Sequence, residues 1–292
     1  MSTTTLRSRR ETLFGVGFVL VGATVFPWTS AIVRPVFLVI GPSASSAWRF
    51  LIGAVALLIF TRPKIGQWTR HQWIGASALG VSTAFMNMCF YQAIARIPLG
   101  SAVTIEFLGP LLVAVLGKRT WRHSLFALVA GFGVIALSHP GGGLTLVGAL
   151  FAVGAGSGWA MYLFASHRVG GSTNGFEGLA VSMTISSIVT LPFSLGSTMI
   201  LVHHPFVLGR VAIVAVASIV IGFGAELQAL RRLKPSIVGV LVSIEPAIAF
   251  LVGWILLSER ITVWVLVGLA AVMIAGVGVT LDQSRSAEPV PH

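Results

Sequence analysis

Acid is what this chain lacks most. Among 292 residues there are 8 Asp and Glu, and the one aspartate is Asp282. All charged residues together make up 9% of the chain, against roughly 25% in soluble domains. With 55% hydrophobic residues and a mean hydropathy of +0.94, the chain has too little polar material to cover a soluble surface. That excludes a cytosolic enzyme, a nucleic-acid binder and a disordered protein. Cysteine is nearly absent too: Cys89 stands alone in an apolar run, so no intramolecular disulfide can form. Strict polar/apolar alternation is missing, which excludes a transmembrane barrel. No Walker A sequence is present, which excludes ATP-driven pumping by this chain. What remains is an all-α, polytopic integral membrane protein.

Apolar runs separated by charged or Gly/Pro-rich breaks predict ten transmembrane helices: 12–33, 44–60, 71–94, 98–117, 122–138, 144–167, 176–200, 207–230, 235–257 and 262–281. Each is near the 20 residues that cross about 30 Å of hydrocarbon. The breaks leave no room for an extramembrane domain. The net charge of +11 is distributed in short clusters such as Arg7/Arg9/Arg10, Arg62/Lys64/Arg70 and Arg231/Arg232/Lys234. Placing both termini inside puts 14 of 19 Lys and Arg on the cytoplasmic side, the orientation that basic loops favour. The basic start and first apolar run also have the form of a signal peptide, but the internal repeat requires a retained span.

That repeat pairs Trp28 with Trp159, Gln92-Ala93-Ile94 with Gln228-Ala229-Leu230, Thr104-Ile105-Glu106 with Ser243-Ile244-Glu245, and Ala130-Gly131-Phe132-Gly133 with Ala275-Gly276-Val277-Gly278. The offsets are 131, 136, 139 and 145. The chain therefore divides into a first five-helix repeat, 1–141, a second, 142–285, and a cytoplasmic tail, 286–292. Five is odd, so the second copy enters the membrane inverted, a recurrent plan of secondary transporters.

The chain resembles the EamA-type drug/metabolite transporter superfamily, in particular its threonine/homoserine exporter branch. The residues that carry this are Pro98-Leu99-Gly100, Glu106 to Pro110, Gly154-Ala155-Gly156 with Trp159 to Tyr162, and Glu245-Pro246-Ala247 leading to Ser258-Glu259-Arg260. Two departures stand out. Ser258 replaces the usual glycine, and the first repeat ends in Gly117-Lys118-Arg119 without the acid. The resemblance implies export of threonine, homoserine or related metabolites across a cytoplasmic (inner) membrane.

Charged groups at the bilayer centre cost about 2.5–3.5 kcal/mol on insertion scales and mark function by default. Glu106 and Glu245 lie about 12 and 15 Å into their spans at 1.5 Å per residue, each beside a proline (Pro110, Pro246). Such carboxylates bind a substrate ammonium, couple transport to protons as in an antiporter, or serve structurally by bonding backbone groups freed near the prolines. Arg49, inside the second span, meets a substrate carboxylate, pairs with a membrane acid or snorkels to the headgroups. Trp28 and Trp159 sit away from the interfaces where tryptophan gathers, and form a substrate-facing wall or ordinary packing. Tyr91, Tyr162, Asn87, Gln92 and Gln228 complete the substrate-binding candidates. Glu226, a turn from Arg231, reads as a helix-end residue.

An intramembrane hydrolase is the reading from another class. Gly156-Ser157-Gly158 is loosely similar to a serine-protease motif, but all 7 histidines fall at span ends, loops or tails, leaving the serine without a base. Zinc ligands are absent within the spans, and a channel would need a polar-lined pore. The chain is expected to be no enzyme, with no catalytic residue, metal or cofactor. Its partners are a small-molecule substrate and the lipid bilayer, with no nucleic acid; the oligomeric state is not encoded in any feature identified. A drug or other small-metabolite exporter of the same fold is the alternative function.

Overall fold

The computed structural model describes residues 3–117, 121–139, 143–169, 176–233 and 235–286. Its long helices are α1 (Thr3–Val33), α2 (Pro42–Thr61), α3 (Arg70–Ile94), α4 (Leu99–Glu106), α5 (Leu108–Gly117), α6 (Trp121–Leu137), α7 (Leu146–Val169), α8 (Phe176–Thr190), α9 (Pro205–Ala215), α10 (Phe223–Arg232), α11 (Pro235–Val242), α12 (Glu245–Leu257) and α13 (Val263–Ser286). A π-helical turn, Val216–Gly222, joins α9 to α10. Among the described residues the elements are helical throughout, and eight continuous segments are long and apolar enough to cross a membrane. The runs expected at 98–117 and 122–138 contain shorter apolar helices, Leu99–Val113 and Trp121–Leu137. The chain is thus a multi-pass, all-α membrane protein.

Several boundaries differ from those read in the sequence. α1 starts well before residue 12, and α13 runs on past 281 to Ser286. The run at 176–200 leaves regular α-helix after Thr190, where Pro192 enters a 3-10 turn, Leu191–Phe193, because proline cannot donate the hydrogen bond that continues a helix. The division expected at 141 and the tail residues 287–292 lie outside the described residues.

Large apolar side chains point outward, among them Leu38, Phe206, Leu128 and Ile135. With lipid outside, apolar burial no longer drives helix association, and close van der Waals contact between small residues takes over. A Cβ on Gly158 of α7 would lie 2.7 Å from the Met86 Cα of α3. A Cβ on Gly133 of α6 would lie 2.8 Å from the Gly268 carbonyl oxygen of α13. Ser186 Oγ of α8 donates to the Gly80 carbonyl of α3 at 2.7 Å, a polar tie of the kind that membrane helices use.

The closest approach is at Gly109, whose added Cβ would overlap the Gly156 carbonyl, while one on Gly156 would sit 2.7 Å from the Glu106 carbonyl oxygen. These obstacles are backbone and cannot rotate away. Gly156→Ala is therefore expected to destabilise the protein by about 1–3 kcal/mol. Gly131→Ala, with nothing within 4 Å, should be nearly silent. Thermal unfolding of both variants in detergent checks the contrast; equal melting would refute the close packing.

Candidate functional site

Two helix breaks organise the middle of the bundle. Pro110 is four residues after Glu106 and has no N–H, so the Glu106 carbonyl loses its intrahelical donor. α4 accordingly ends at Glu106 and α5 starts at Leu108. Pro246 does the same to Val242: α11 ends there, and α12 starts at Glu245. A third irregularity, the π-turn at 216–222, precedes Glu226. π-Turns inside α-helices recur at functional sites.

These irregular segments surround one cavity of about 830 Å³, including its mouth. Its α1 wall is the stripe Phe18, Val19, Gly22, Ala23, Phe26, Pro27 and Ser30. Arg49 comes from α2, Asn87 and Phe90 from α3, Glu106 from α4, Trp159 and Tyr162 from α7, Phe223 and Glu226 from α10, and Glu245 from α12. Of the residues singled out by sequence, Glu106, Glu245, Arg49, Asn87, Trp159 and Tyr162 are therefore brought together. Glu106 is 8% exposed, and Glu245 is half-buried.

The remaining candidates sit elsewhere. Trp28 lies off the α1 stripe and is 41% exposed on the outer surface. Gln228 is engaged by Arg232, whose guanidinium donates to both its side-chain oxygen and its carbonyl. Gln92 donates to Ser43 Oγ at 2.7 Å and accepts from Arg96 at 2.5 Å. Tyr91 is buried behind the wall, its ring under the Arg49 guanidinium at 4.9 Å.

Arg49 is held rather than free. It donates to Ser218 Oγ at 3.3 Å and to Asn87 Oδ1, and lies 5.1 Å from the Phe50 ring. The π-turn supplies Ser218, and Asn87 is oriented by donating to the Thr83 carbonyl at 3.0 Å. Sequence reasoning missed Glu226, which faces Tyr162 within hydrogen-bonding reach instead of capping a helix end. The signal was there: the 136-residue offset between Gln92-Ala93-Ile94 and Gln228-Ala229-Leu230 sets Glu226 against Phe90, and both line the cavity. Among the described residues no group of His, Cys, Asp and Glu is placed to hold a metal ion.

The cavity's far limit, toward the end of α1, is a packed layer including Val33, Val36, Ile94, Ile97 and Leu99. An ionic tie lies over it. Glu259, after α12, pairs with Arg34 at 2.5 Å and accepts the Leu99 N–H at 2.9 and 3.0 Å. A carboxylate at a helix N-terminus is favourable because unpaired amides and the helix dipole converge there.

The EamA-like transporter family matches residues 146–281. The threonine/homoserine exporter RhtA of Salmonella typhimurium (strain LT2) is 31% identical over 259 residues, 88% of this chain and 88% of its own length. Its namesake in Escherichia coli (strain K12) is 30% identical over 262 residues, 89% of this chain and 88% of its own. An uncharacterized transporter of Bacillus subtilis, YvbV, is 26% identical over 49% of this chain and 50% of its own length. A solved crystal structure shares the fold, with a TM-score of 0.61 over 97% of this chain and 99% of its own at 19% identity.

The Arg34–Glu259 tie is testable by a double-mutant cycle. Glu259→Gln should cost about 1.5–3 kcal/mol, the range for hydrogen bonds to charged groups. Arg34→Ala added to Glu259→Gln should cost much less than it does alone. Strict additivity in thermal unfolding would mean that the pair does not couple.

Proposed function

The chain belongs to the EamA-like transporter family, and from that premise we propose that it is a secondary active exporter of small amino acids of the threonine/homoserine kind. It works by alternating access in a cytoplasmic membrane, with both termini inside. The ten apolar helical stretches all span, the shorter two included, as inverted repeats over 1–141 and 142–285. Transport is coupled to protons as antiport, with Glu106 and Glu245 carrying the substrate ammonium and the proton between them.

The observation that carries this reading is the cavity whose two central carboxylates come from matched helix breaks, Glu106 before Pro110 and Glu245 before Pro246. Discontinuous helices in corresponding positions of two halves are the expected setting of a transport site. Packing supports the inverted repeat. α3 packs on α7 as α10 packs on α1; α4 and α5 pack on α7 as α11 and α12 pack on α1; α6 packs on α13, its own counterpart. Arg96 and Arg232 each donate to a glutamine carbonyl and side-chain oxygen four residues back, and each lies 5.1 Å from a phenyl ring, Phe151 and Phe18. The family match over 146–281 falls within the second repeat.

One feature favours the second reading, an exporter of drugs or other metabolites: most of the cavity wall is aromatic or aliphatic. Uptake of labelled threonine into proteoliposomes under an imposed pH gradient separates the two. Gradient-stimulated uptake is expected for the wild type, falling by about tenfold or more (about 1.4 kcal/mol) in Glu106→Gln. Undiminished uptake in that variant would make Glu106 structural. Failure of folded wild type to move threonine would overturn the amino-acid reading.

A further inference from the structure

Three carboxylates, Glu106, Glu226 and Glu245, line the central cavity, and Arg49 is the one cation in its wall. Among the described residues none of the three acids forms an ion pair. Arg49 does not offset them by contact: it is 3% exposed, two of its five N–H groups donate to Asn87 and Ser218, and its Nε is buried without a partner. Glu106, more than nine-tenths buried, receives no hydrogen bond from any described residue and faces the cavity. An unpaired buried carboxylate is costly, and a cation arriving in the cavity relieves that cost. The rest of the wall is suited to the same charge, since aromatic faces such as those of Trp159 and Phe223 attract ammonium groups. A substrate carboxylate, by contrast, meets three acids and an arginine buried in the wall on neutral partners.

We propose that this cavity recognises its substrate through the ammonium group and has no built site for the carboxylate, so that it takes small amines and carboxyl-capped amino acids at least as well as free amino acids. Glu226 joins Glu106 and Glu245 as the third acid of this ammonium site, held in place opposite Tyr162. The inference rests on the exporter reading for the location of the transport site, but it concerns the chemical class of what enters.

The test uses the full chain in detergent and three probes built on one skeleton: threonine, threoninamide, which keeps the ammonium and lacks the carboxylate, and N-acetylthreonine, which has the reverse. Ligand-dependent thermal stabilisation reports binding without requiring transport. Threoninamide should stabilise as strongly as threonine or more so, and N-acetylthreonine should not stabilise at the same concentration. Glu226→Gln, which keeps the shape and a partner for Tyr162, should weaken threoninamide binding by about tenfold. Stabilisation by threonine and N-acetylthreonine but not by the amide overturns the inference and leaves the amino-acid exporter standing. Stabilisation by the amide, with no threonine uptake into proteoliposomes, supports it and overturns the amino-acid reading instead. No stabilisation by any probe overturns it, whatever the uptake assay returns.

Discussion

A proline has no amide hydrogen to give to the turn before it, and at Pro110 and Pro246 that lack coincides with a helix break in the middle of the bundle. In a hydrocarbon surrounding, an unsatisfied carbonyl costs several kcal/mol and persists only where protein or a cavity accommodates it. At Pro110 the accommodation is visible: Gly156 has no side chain, so α7 comes up against the Glu106 carbonyl. The same break ends α4 with its glutamate facing inward rather than lipid. Close packing, helix discontinuity and the placement of a charge thus have one origin. Pro246 opens the Val242 carbonyl in the same way, and Glu245 starts the helix after that break.

That local rule explains which features were legible beforehand. Hydropathy gave the helices because every backbone group in lipid must be paired within its own segment. The Glu–Pro juxtapositions pointed to the cavity's centre because each proline opens the carbonyl four residues before it, that of Glu106 in one case and of Val242 in the other. Trp28 and Trp159 show where such reasoning ends. They match in sequence, yet Trp159 lines the cavity and Trp28 faces outward, since a step of one residue turns a helix by 100° and the repeat offsets drift between motifs. Glu226 was hidden for a related reason: nearness to Arg231 in sequence resembles a solvated helix end, whereas the π-turn before it shifts the register of α10 toward the cavity. Gln228 and Gln92, polar and inside apolar runs, turned out to be committed to arginines one turn on.

Arg49 illustrates how a buried charge is tolerated without a counter-ion. Hydrogen bonds to Asn87 and Ser218 and the faces of Tyr91 and Phe50 spread its charge over neutral partners. A salt bridge to one of the cavity acids would neutralise both groups and remove each from use. Keeping the cation on neutral ligands leaves the carboxylates unpaired, which is what the proposed ammonium site requires. The π-turn is part of this arrangement, because it is the segment that carries Ser218.

On the inverted-repeat reading the two halves are alike, yet the two ends of the bundle are not equivalent. At the far end the carboxylate of Glu259 caps α4 and binds Arg34. The corresponding position after α5 reads Gly117-Lys118-Arg119, with no acid. Ser258 adds to the contrast: its backbone is left-handed, φ 53°, a conformation that favours glycine. The chain accepts it directly before the residue that makes the tie. In a carrier built from inverted repeats, closure of one end and closure of the other are related by the repeat, so their energies differ only where the sequences differ. Here that difference places the Glu259 tie on the far end, while at the opposite end Arg122 of α6 pairs with Asp282 of α13 at 3.3 Å. On the proposed reading, with the termini inside, the far end is the external one. The Glu259 tie then joins the ends of α1, α4 and α12 at the outer end, whereas the Arg122–Asp282 pair joins α6 to α13 at the inner one, so the two closures differ in which helices an ionic contact holds together.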